Sequence, residues 1–369
     1  MLRTLLKAVF AASMIAAFTA CQPKFAYVAN STDNTISGYT VNKVTGELTP
    51  IPGSPYTAGD GPGSVIVTPS GKFVYAANEV SNNVSAYSIN QATGALTPVS
   101  GSPFTAGSGP HSVTVDLSDQ YLYVTNEGSN NVSGFRINPG TGALTAVSGS
   151  PFPTGKQPSS AAEATGSFLY VTNATIGSPA GSISGFSVNN ATGALTPIAG
   201  SPFPAGAEPF SIAVSLLAGT NAYVANFVDN SLSGYTVNTG TGALTPVSGS
   251  PFTVGSRPFS VAVDILGRFV YVANSAATVS VNGNGNISAF AISENGSLTA
   301  IAGSPFTAGK NPFSVTVDAS GAFAYTANNG DDTVSGFSIN STTGALTPVV
   351  GNPFSAGTGP VSVITTPGS

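Results

Sequence analysis

A short motif recurs seven times along this chain at nearly constant intervals. It is a tetrapeptide that begins with Tyr, ends with Asn and closes a run rich in Val, Ala, Tyr and Phe. Its copies occupy residues 27–30, 75–78, 123–126, 170–173, 223–226, 271–274 and 325–328. The intervals between successive asparagines are 48, 48, 47, 53, 48 and 54 residues. A period of this length indicates one supersecondary unit repeated seven times.

Each period reads as four short β-strands separated by turns. The tetrapeptide is followed by a strand-like segment, such as 232–235, and then by a Thr-Gly-Ala-Leu-Thr turn and strand, as at 241–245. A Gly-Ser-Pro-Phe turn at 249–252 leads to Pro-x-Ser-Val-x-Val, as at 258–263. Val, Tyr and Phe favour strands, whereas Gly, Pro and Asn favour turns. The pattern therefore predicts an all-β chain that forms a single seven-bladed β-propeller of four-stranded antiparallel blades.

The two ends of the repeat region complement each other. The first unit starts at Phe25 without the Pro-x-Ser-Val strand that precedes the tetrapeptide in the other units. That strand occurs at the far end of the chain, as Pro-Val-Ser-Val-Ile-Thr at 360–365. We therefore predict one propeller domain at 25–369, in which the C-terminal strand completes the N-terminal blade. Closure of this kind leaves no open sheet edge.

The residues before the repeats resemble an export signal. A basic start is followed by an apolar run at 8–18, which is too short to span a bilayer. Cys21, the only cysteine, follows closely, and its position resembles the lipidation box of bacterial lipoproteins. We expect a lipoprotein-type signal peptide at 1–20, a short tether at 21–24 and a lipid on Cys21 that anchors the protein to a membrane of the cell envelope. The alternative is an ordinary signal cleaved after Ala20, which would give a secreted or periplasmic soluble protein.

Composition argues against several kinds of partner. Charged residues make up only 7% of the chain, the net charge is −5 and the cations are scattered singly. A nucleic-acid-binding face needs clustered Lys and Arg, so we expect no nucleic-acid partner. One His and no second Cys disfavour a zinc site. We expect a monomer without metal or cofactor.

The repeats also carry a family resemblance. Residues 123–126 and 170–173 read Tyr-Val-Thr-Asn, which resembles the YVTN repeats of propellers in bacterial surface proteins. The Pro-His-Ser-Val segment at 110–113 is similar to the propeller-type lactonase family, which includes 6-phosphogluconolactonase and muconate-lactonising relatives. The resemblance covers the chain from Phe25 to its C terminus and implies the propeller fold. It implies an activity less directly, because the enzymes share this fold with many non-enzymatic binders.

Candidate ligand-binding residues surround one mouth of the predicted channel. The residue before the Pro of each innermost strand and the residue after it should form two rings there. Blades 1 to 3 contribute mostly Gly, whereas the other four blades contribute polar and aromatic side chains. The candidates are Gln157, Glu208, Arg257, Asn311, Phe210, Phe259 and Phe313. Such a half-rim would suit a small ligand; alternatively, the phenylalanines pack between blades and Glu208 pairs with Arg257.

Three residues are candidates for catalysis. His111 lies in the family-like Pro-His motif, Glu163 would act as a base or orienting group, and Arg257 would bind an anionic substrate. Glu163 replaces the Val that ends most innermost strands, where a carboxylate is costly unless it is paired, hydrated or protonated. Alternatively, His111 packs at the mouth, and Glu163 marks a water-filled channel or a slipped strand. An offset of about 13 Å along neighbouring strands argues against a direct pair between His111 and Glu163.

Two enlarged loops, at 174–182 and 275–286, lie on one predicted face of the propeller. The chain enters its first strand from the opposite face, so we expect the enlarged loops to point away from the membrane. From the sequence, the favoured function is a non-catalytic or structural envelope propeller that uses this face to bind a small molecule, a glycan or a surface protein. The alternative is a lactonase-like hydrolase that acts on a sugar lactone at the channel mouth.

Overall fold

The computed structural model describes residues 25–215, 220–275 and 283–367, which contain 35 β-strands and no helix. The strands form seven antiparallel sheets, and the innermost strand of each sheet contacts the innermost strands of both neighbours. The all-β seven-bladed propeller is therefore confirmed. The expected signal peptide, the tether and Cys21 lie outside the described residues, as does most of the loop at 275–286. The described part of the chain contains no helix long and apolar enough to cross a membrane.

Every blade repeats the same strand positions, named inner, second, third and outer from the channel outward. The inner strands are β5 (Pro62–Val67), β10 (Pro110–Val115), β15 (Pro158–Ala164), β20 (Pro209–Ser215), β25 (Pro258–Val263), β30 (Pro312–Val317) and β35 (Pro360–Thr365). The second strands are β1 (Phe25–Asn30), β6 (Phe73–Asn78), β11 (Tyr121–Asn126), β16 (Phe168–Asn173), β21 (Asn221–Asn226), β26 (Phe269–Asn274) and β31 (Phe323–Asn328). The third strands are β2 (Thr35–Val41), β7 (Asn83–Ile89), β12 (Asn131–Ile137), β17 (Ser182–Val188), β22 (Ser231–Val237), β27 (Asn284–Ile292) and β32 (Thr333–Ile339). The outer strands are β3 (Leu48–Pro50), β8 (Leu96–Pro98), β13 (Leu144–Ala146), β18 (Leu195–Pro197), β23 (Leu244–Pro246), β28 (Leu298–Ala300) and β33 (Leu346–Pro348). Blades are numbered 1 to 7 in the order of their second strands.

Each sheet also contains a fifth, short strand that the sequence pattern did not predict. It pairs with the beginning of the third strand and does not belong to the inner, second, third and outer order of the sheet. These strands are β4 (Tyr56–Thr57), β9 (Phe104–Thr105), β14 (Phe152–Pro153), β19 (Phe203–Pro204), β24 (Phe252–Thr253), β29 (Phe306–Lys310) and β34 (Phe354–Ser355). Each follows a cis Ser-Pro or Asn-Pro peptide bond. Most are two residues long, too short to show any alternation of apolar and polar side chains.

The ring closes between the two ends of the described chain. β35 pairs antiparallel with β1, with Val363 opposite Val28. Next to this pairing, the Phe25 N–H donates to Thr366 Oγ1 at 3.0 Å, and the Thr366 N–H donates to the Phe25 carbonyl at 2.8 Å. The C-terminal strand therefore completes blade 1, as predicted.

The tyrosine of each repeated tetrapeptide links its blade to the next one. All seven side chains are fully buried, and a buried Tyr hydroxyl normally needs a hydrogen-bond partner. Each hydroxyl donates to a Gly carbonyl in the turn between the third and outer strands of the following blade, at 2.6–2.9 Å. The pairs are Tyr27–Gly94, Tyr75–Gly142, Tyr123–Gly193, Tyr170–Gly242, Tyr223–Gly296, Tyr271–Gly344 and Tyr325–Gly46. Because Tyr325 of blade 7 reaches Gly46 of blade 1, these bonds also run around a closed ring.

Candidate functional site

A cavity of about 300 Å³ opens among the inner strands of all seven blades. Its lining includes the residue that follows the Pro of each inner strand, and the Ser after it. The residues that follow Pro are Gly63, His111, Ser159, Phe210, Phe259, Phe313 and Val361. Ser31 and Glu79, which follow second strands, complete the lining. We call this cavity the channel mouth.

A β-bulge at the start of every inner strand places these side chains. In blade 3, Pro110 lies opposite Asn126 and Ser112 opposite Thr125, so His111 has no partner in the ladder. The same register shift occurs in the other six blades. Bulges change the direction of a side chain, and these coincide with the residues that line the channel mouth.

His111 is held in one orientation by the neighbouring blade. Its Nδ1 lies 2.8 Å from the carbonyl oxygen of Ser159. A carbonyl oxygen can only accept a hydrogen bond, so Nδ1 carries the proton. In the neutral ring, Nε2 then keeps a free lone pair. His111 can therefore act as a proton acceptor at the channel mouth.

The seven serines two positions after the inner Pro differ in how their hydroxyls are used. Five of them accept a hydrogen bond from a backbone N–H of the following blade, at 3.1–3.4 Å. These pairs are Ser64–Val113, Ser211–Val261, Ser260–Val315, Ser314–Val363 and Ser362–Val65. Within the described residues, the Ser112 and Ser160 hydroxyls make no such bond. Among the described residues the pattern is therefore interrupted next to His111, where two neighbouring hydroxyls accept no bond from the following blade.

Blades 5 to 7 contribute an aromatic wall, which we define as Phe210, Phe227, Phe259 and Phe313. The Phe259 and Phe313 rings stack with centroids 4.1 Å apart, and the centroids of Phe210 and Phe259 are 5.3 Å apart. Phe227 contacts both Phe210 and Phe259, at 5.1 and 4.8 Å. All four side chains are half-buried. The His111 ring lies 6.4 Å from Phe210, so the wall extends to the candidate base.

Gln157, Glu208, Arg257 and Asn311 do not belong to the lining that the structure describes. Each has a left-handed backbone, with φ between 48° and 53°, at the position that Gly occupies in blades 1 to 3. Among the described residues the ion pair is that of Arg268 with Asp264, so Glu208 and Arg257 do not pair. Arg257 instead lies with its guanidinium carbon 5.7 Å from the centre of the Phe227 ring. Ligand binding by these four residues stays a prediction.

Two of these residues support the enlarged loop of blade 4. Gln157 Oε1 accepts the N–H of Ile176 at 2.7 Å, and Glu208 Oε1 accepts that of Gly177 at 2.9 Å. Ile176 is 60% exposed at this point. The loop at 174–182 is thus tied to the segments that lead into two inner strands, beside the channel mouth.

Glu163 lies at the other end of its inner strand and is not part of the described lining. Its Oε2 accepts the N–H of Leu117, in a turn of blade 3, at 2.7 Å. Burial raises the pKa of Glu163 to about 7; the bond from Leu117 opposes the shift, and the nearby Asp116 adds to it. Glu163 pairs with Leu169 as Val115 pairs with Leu122, so the strand has not slipped. The structure does not bring His111 and Glu163 together.

Residues that follow the buried Asn of the second strand also reach the site, and our reading of the sequence missed them. Glu79 lines the channel mouth, and Phe227 belongs to the aromatic wall. The seven residues at this repeat position are Ser31, Glu79, Glu127, Ala174, Phe227, Ser275 and Asn329. The residue type at this position differs from blade to blade, whereas the strands on either side hardly vary. This contrast was a signal available in the sequence. The described residues contain no group of three or more His, Cys, Asp or Glu that could hold a metal ion.

Comparisons with known proteins place the chain among propellers. A family described as "Lactonase, 7-bladed beta-propeller" matches residues 11–103, 99–261 and 218–364. The structure of a candidate 6-phosphogluconolactonase from Bacteroides fragilis is 19% identical, with a TM-score of 0.77 over 94% of this chain and 98% of that one. A similar protein from Bacteroides uniformis is 18% identical, with a TM-score of 0.78 over 94% and 99%. The periplasmic gluconolactonase of Pseudomonas aeruginosa is 16% identical, with a TM-score of 0.73 over 93% and 98%. No curated protein sequence matches the chain, and at these identities the solved structures show a shared fold.

Proposed function

The chain belongs to the family of seven-bladed β-propeller lactonases, and from this we propose that it hydrolyses a lactone at the channel mouth. The sequence alone favoured a non-catalytic binder, but membership in this family favours the alternative. One observation carries the proposal: the sevenfold pattern of the channel mouth is interrupted where His111 lies, and there, among the described residues, the Ser112 and Ser160 hydroxyls accept no bond from the following blade. The names of the Bacteroides and Pseudomonas proteins support a lactone as the substrate class.

These groups can supply each step of ring opening. His111 Nε2 takes a proton from a water molecule as its oxygen attacks the lactone carbonyl. The Ser112 and Ser160 hydroxyls donate hydrogen bonds to the developing oxyanion. The protonated His111 then gives the proton to the ring oxygen as the ester bond breaks, which leaves a hydroxy acid. The Ser159 carbonyl, 2.8 Å from Nδ1, orients the ring and stabilises its charged form.

Replacement of His111 by Ser tests this assignment. Blade 4 carries Ser159 at the same position, so we expect His111→Ser to fold. Loss of a general acid–base should lower kcat about 10²- to 10⁴-fold on a panel of lactones. Ser338→Ala, in the third strand of blade 7 and outside the described lining, is the control and should keep full activity. Equal turnover by His111→Ser would refute the role of His111, and no turnover of any lactone by the natural sequence would refute the hydrolase.

Binding without turnover is the second candidate function. The aromatic wall favours it, because half-buried aromatic faces bind apolar surfaces of small molecules and sugars. Turnover of the same panel of lactones, followed by calorimetric measurement of their binding, distinguishes the two functions. Saturable binding of a lactone that is never opened would support the non-catalytic protein.

We also propose that a lipid on Cys21 anchors the protein to the cell envelope, with the channel mouth facing away from the membrane. Phe25 bonds to Thr366, beyond the end of β35, whereas the channel mouth lies at the Pro360 end of the same strand. The described chain therefore begins on the face opposite the mouth. A tether of three residues between Cys21 and Phe25 spans at most about 10 Å, which would hold that face against the membrane.

Replacement of Cys21 tests the anchor. We expect Cys21→Ser to move the protein from the membrane fraction to the soluble fraction, because the thiol that would carry the lipid is gone. Ser338→Ala serves as the control and should remain with the membranes. Membrane association of Cys21→Ser equal to that of the natural sequence would contradict the proposal.

A further inference from the structure

We infer that the channel mouth binds an uncharged lactone that carries an aromatic ring, and not a phosphorylated sugar lactone. The inference rests on the proposed function for the lactone itself and names the substrate class. It is drawn from the aromatic wall, from its distance to His111 and from the charges of the lining.

Phe259 is the centre of the aromatic wall. Its ring contacts those of Phe210, Phe227 and Phe313, with centroids 4.1–5.3 Å apart. Phe210, Phe259 and Phe313 line the cavity and are half-buried. A flat apolar group placed against these rings would remove their exposed area from water and would add aromatic contacts.

The aromatic wall ends beside the candidate base. The Phe210 and His111 rings meet edge-on, with centroids 6.4 Å apart. A ligand whose aromatic ring lies on Phe210 and Phe259 would therefore hold a carbonyl of an adjoining ring near His111. The volume of about 300 Å³ is at the lower end for small-molecule sites, which suits a molecule of one or two rings.

The charges of the lining oppose an anionic substrate. In the part of the lining that the structure describes, no Lys or Arg occurs and the carboxylate of Glu79 is present. Arg257 lies over Phe227, which is outside the lining. The sequence of the two internal segments that the structure does not describe, 216–219 and 276–282, contains no charged residue. A phosphate would meet a like charge without a cation to bind it.

A sugar lactone without phosphate also suits the lining less well. Its several hydroxyl groups would each need a hydrogen-bond partner after transfer from water. The aromatic wall offers no such partners, and its residues Phe210, Phe259 and Phe313 form part of the lining. An aromatic lactone needs only donors for its carbonyl oxygen, which the Ser112 and Ser160 hydroxyls can provide.

Calorimetry with three unreactive probes tests the inference. The first is 3,4-dihydro-2-quinolinone, which is the lactam that corresponds to an aromatic lactone. The other two are gluconolactam and 6-phosphogluconate. We expect the quinolinone to bind at least about tenfold more tightly than either of the others, a difference of about 1.4 kcal/mol. Tighter binding of gluconolactam or 6-phosphogluconate, or no binding of the quinolinone, would overturn the inference.

A variant of the aromatic wall locates the binding. Phe259→Val introduces the side chain that blade 1 carries at this position, Val361, so the fold should tolerate it. We expect affinity for the quinolinone to fall about five- to tenfold, as for the loss of a stacked ring and its buried area. Phe306→Val, at an equally half-buried ring in β29, away from the channel mouth, is the control and should bind like the natural sequence. Unchanged affinity in Phe259→Val would overturn the inference.

Turnover measured on the parent lactones separates this inference from the proposed function. If the quinolinone binds and no lactone of the panel, dihydrocoumarin included, is hydrolysed, the ligand class is supported and the hydrolase is refuted. If gluconolactone is hydrolysed while the quinolinone does not bind, the hydrolase is supported and the ligand class is overturned.

Discussion

Single side chains distinguish the blades of a propeller whose backbones are nearly the same. At the position after the inner Pro, His111 lies in a ring whose other members are Gly, Ser, Phe and Val. His111 also contacts the next blade, because its Nδ1 donates a hydrogen bond to the carbonyl oxygen of Ser159. In the same region the hydroxyls of Ser112 and Ser160 lose the partners that their counterparts have. One residue thus marks a region of the ring that differs chemically from the rest.

Glu163 makes stability depend on pH. Burial raises the pKa of this carboxyl from 4.5 to about 7, so the folded protein holds a proton that the unfolded chain has released between these values. The free energy of unfolding should therefore fall as the pH rises through this range. Glu163→Gln keeps the shape of the side chain and cannot ionise. We expect it to be the more stable protein at about pH 8, by up to about 2 kcal/mol, and nearly equal at about pH 5.

Urea unfolding of both proteins across this pH range measures the effect. The half-buried Asp119 and the buried Asp318 also have raised pKa values, but they are present in both proteins and cancel in the difference. A difference between the two proteins that does not change with pH would contradict the raised pKa of Glu163.

The candidate rim residues show what the sequence could and could not predict at this scale. Gln157, Glu208, Arg257 and Asn311 are candidates because they are polar side chains at the position just before the inner Pro. Their left-handed backbone could have been inferred, since the other three blades carry Gly at the same position. Their contacts could not, because Gln157 and Glu208 bond to a loop whose path is set by tertiary packing.

Among the elements, the turns between third and outer strands contribute more to packing than their exposed position suggests. The carbonyl of Gly142 accepts the bond from Tyr75 of the preceding blade. Its φ is +75°, and a Cβ placed there would lie 2.5 Å from the Phe73 ring. The turn therefore fits closely against the preceding blade, and only Gly fits at this point.

Alanine substitutions at two glycines of one turn test this contact. Gly142→Ala should destabilise the protein by about 2–4 kcal/mol, because the left-handed backbone and the overlap with Phe73 both oppose a methyl group. Gly140→Ala is the matched control, since a Cβ there would meet only Asn138 Oδ1, at 3.6 Å. It should change the free energy of unfolding by no more than about 0.5 kcal/mol. Equal effects of the two substitutions in urea unfolding would contradict this account.

At the scale of the whole molecule, the sequence predicted the ring because the strand absent from the first unit occurs after the seventh. The period also indicated the number of blades and the order of their strands. The bonds between blades were not predictable, because each joins residues 67 to 73 positions apart, or 279 where Tyr325 meets Gly46. Spacing within one repeat shows that Tyr and Gly recur, but only the packed ring shows which Gly each Tyr meets.

Closure by β35 predicts how the molecule responds to a change in the order of its strands. In blade 3, residues 116–120 connect the inner strand to the second strand, whereas in blade 1 the corresponding strands end at Thr365 and begin at Phe25 without a covalent connection. A permuted chain can begin at Pro360, continue from Thr365 through a copy of the turn at 116–120 into Phe25, and end at Gly359. This order keeps every strand pairing of the propeller. We expect it to be a monomer that unfolds at nearly the same temperature as the natural order.

A chain that simply ends at Gly359 is the comparison for the permuted chain. It leaves β1 with an unpaired edge and interrupts the ring of inner strands, and an open edge can pair with another molecule. We therefore expect lower thermal stability and larger species in size-exclusion chromatography. A truncated chain that stays monomeric and unfolds at the natural temperature would show that closure by β35 does not stabilise the propeller.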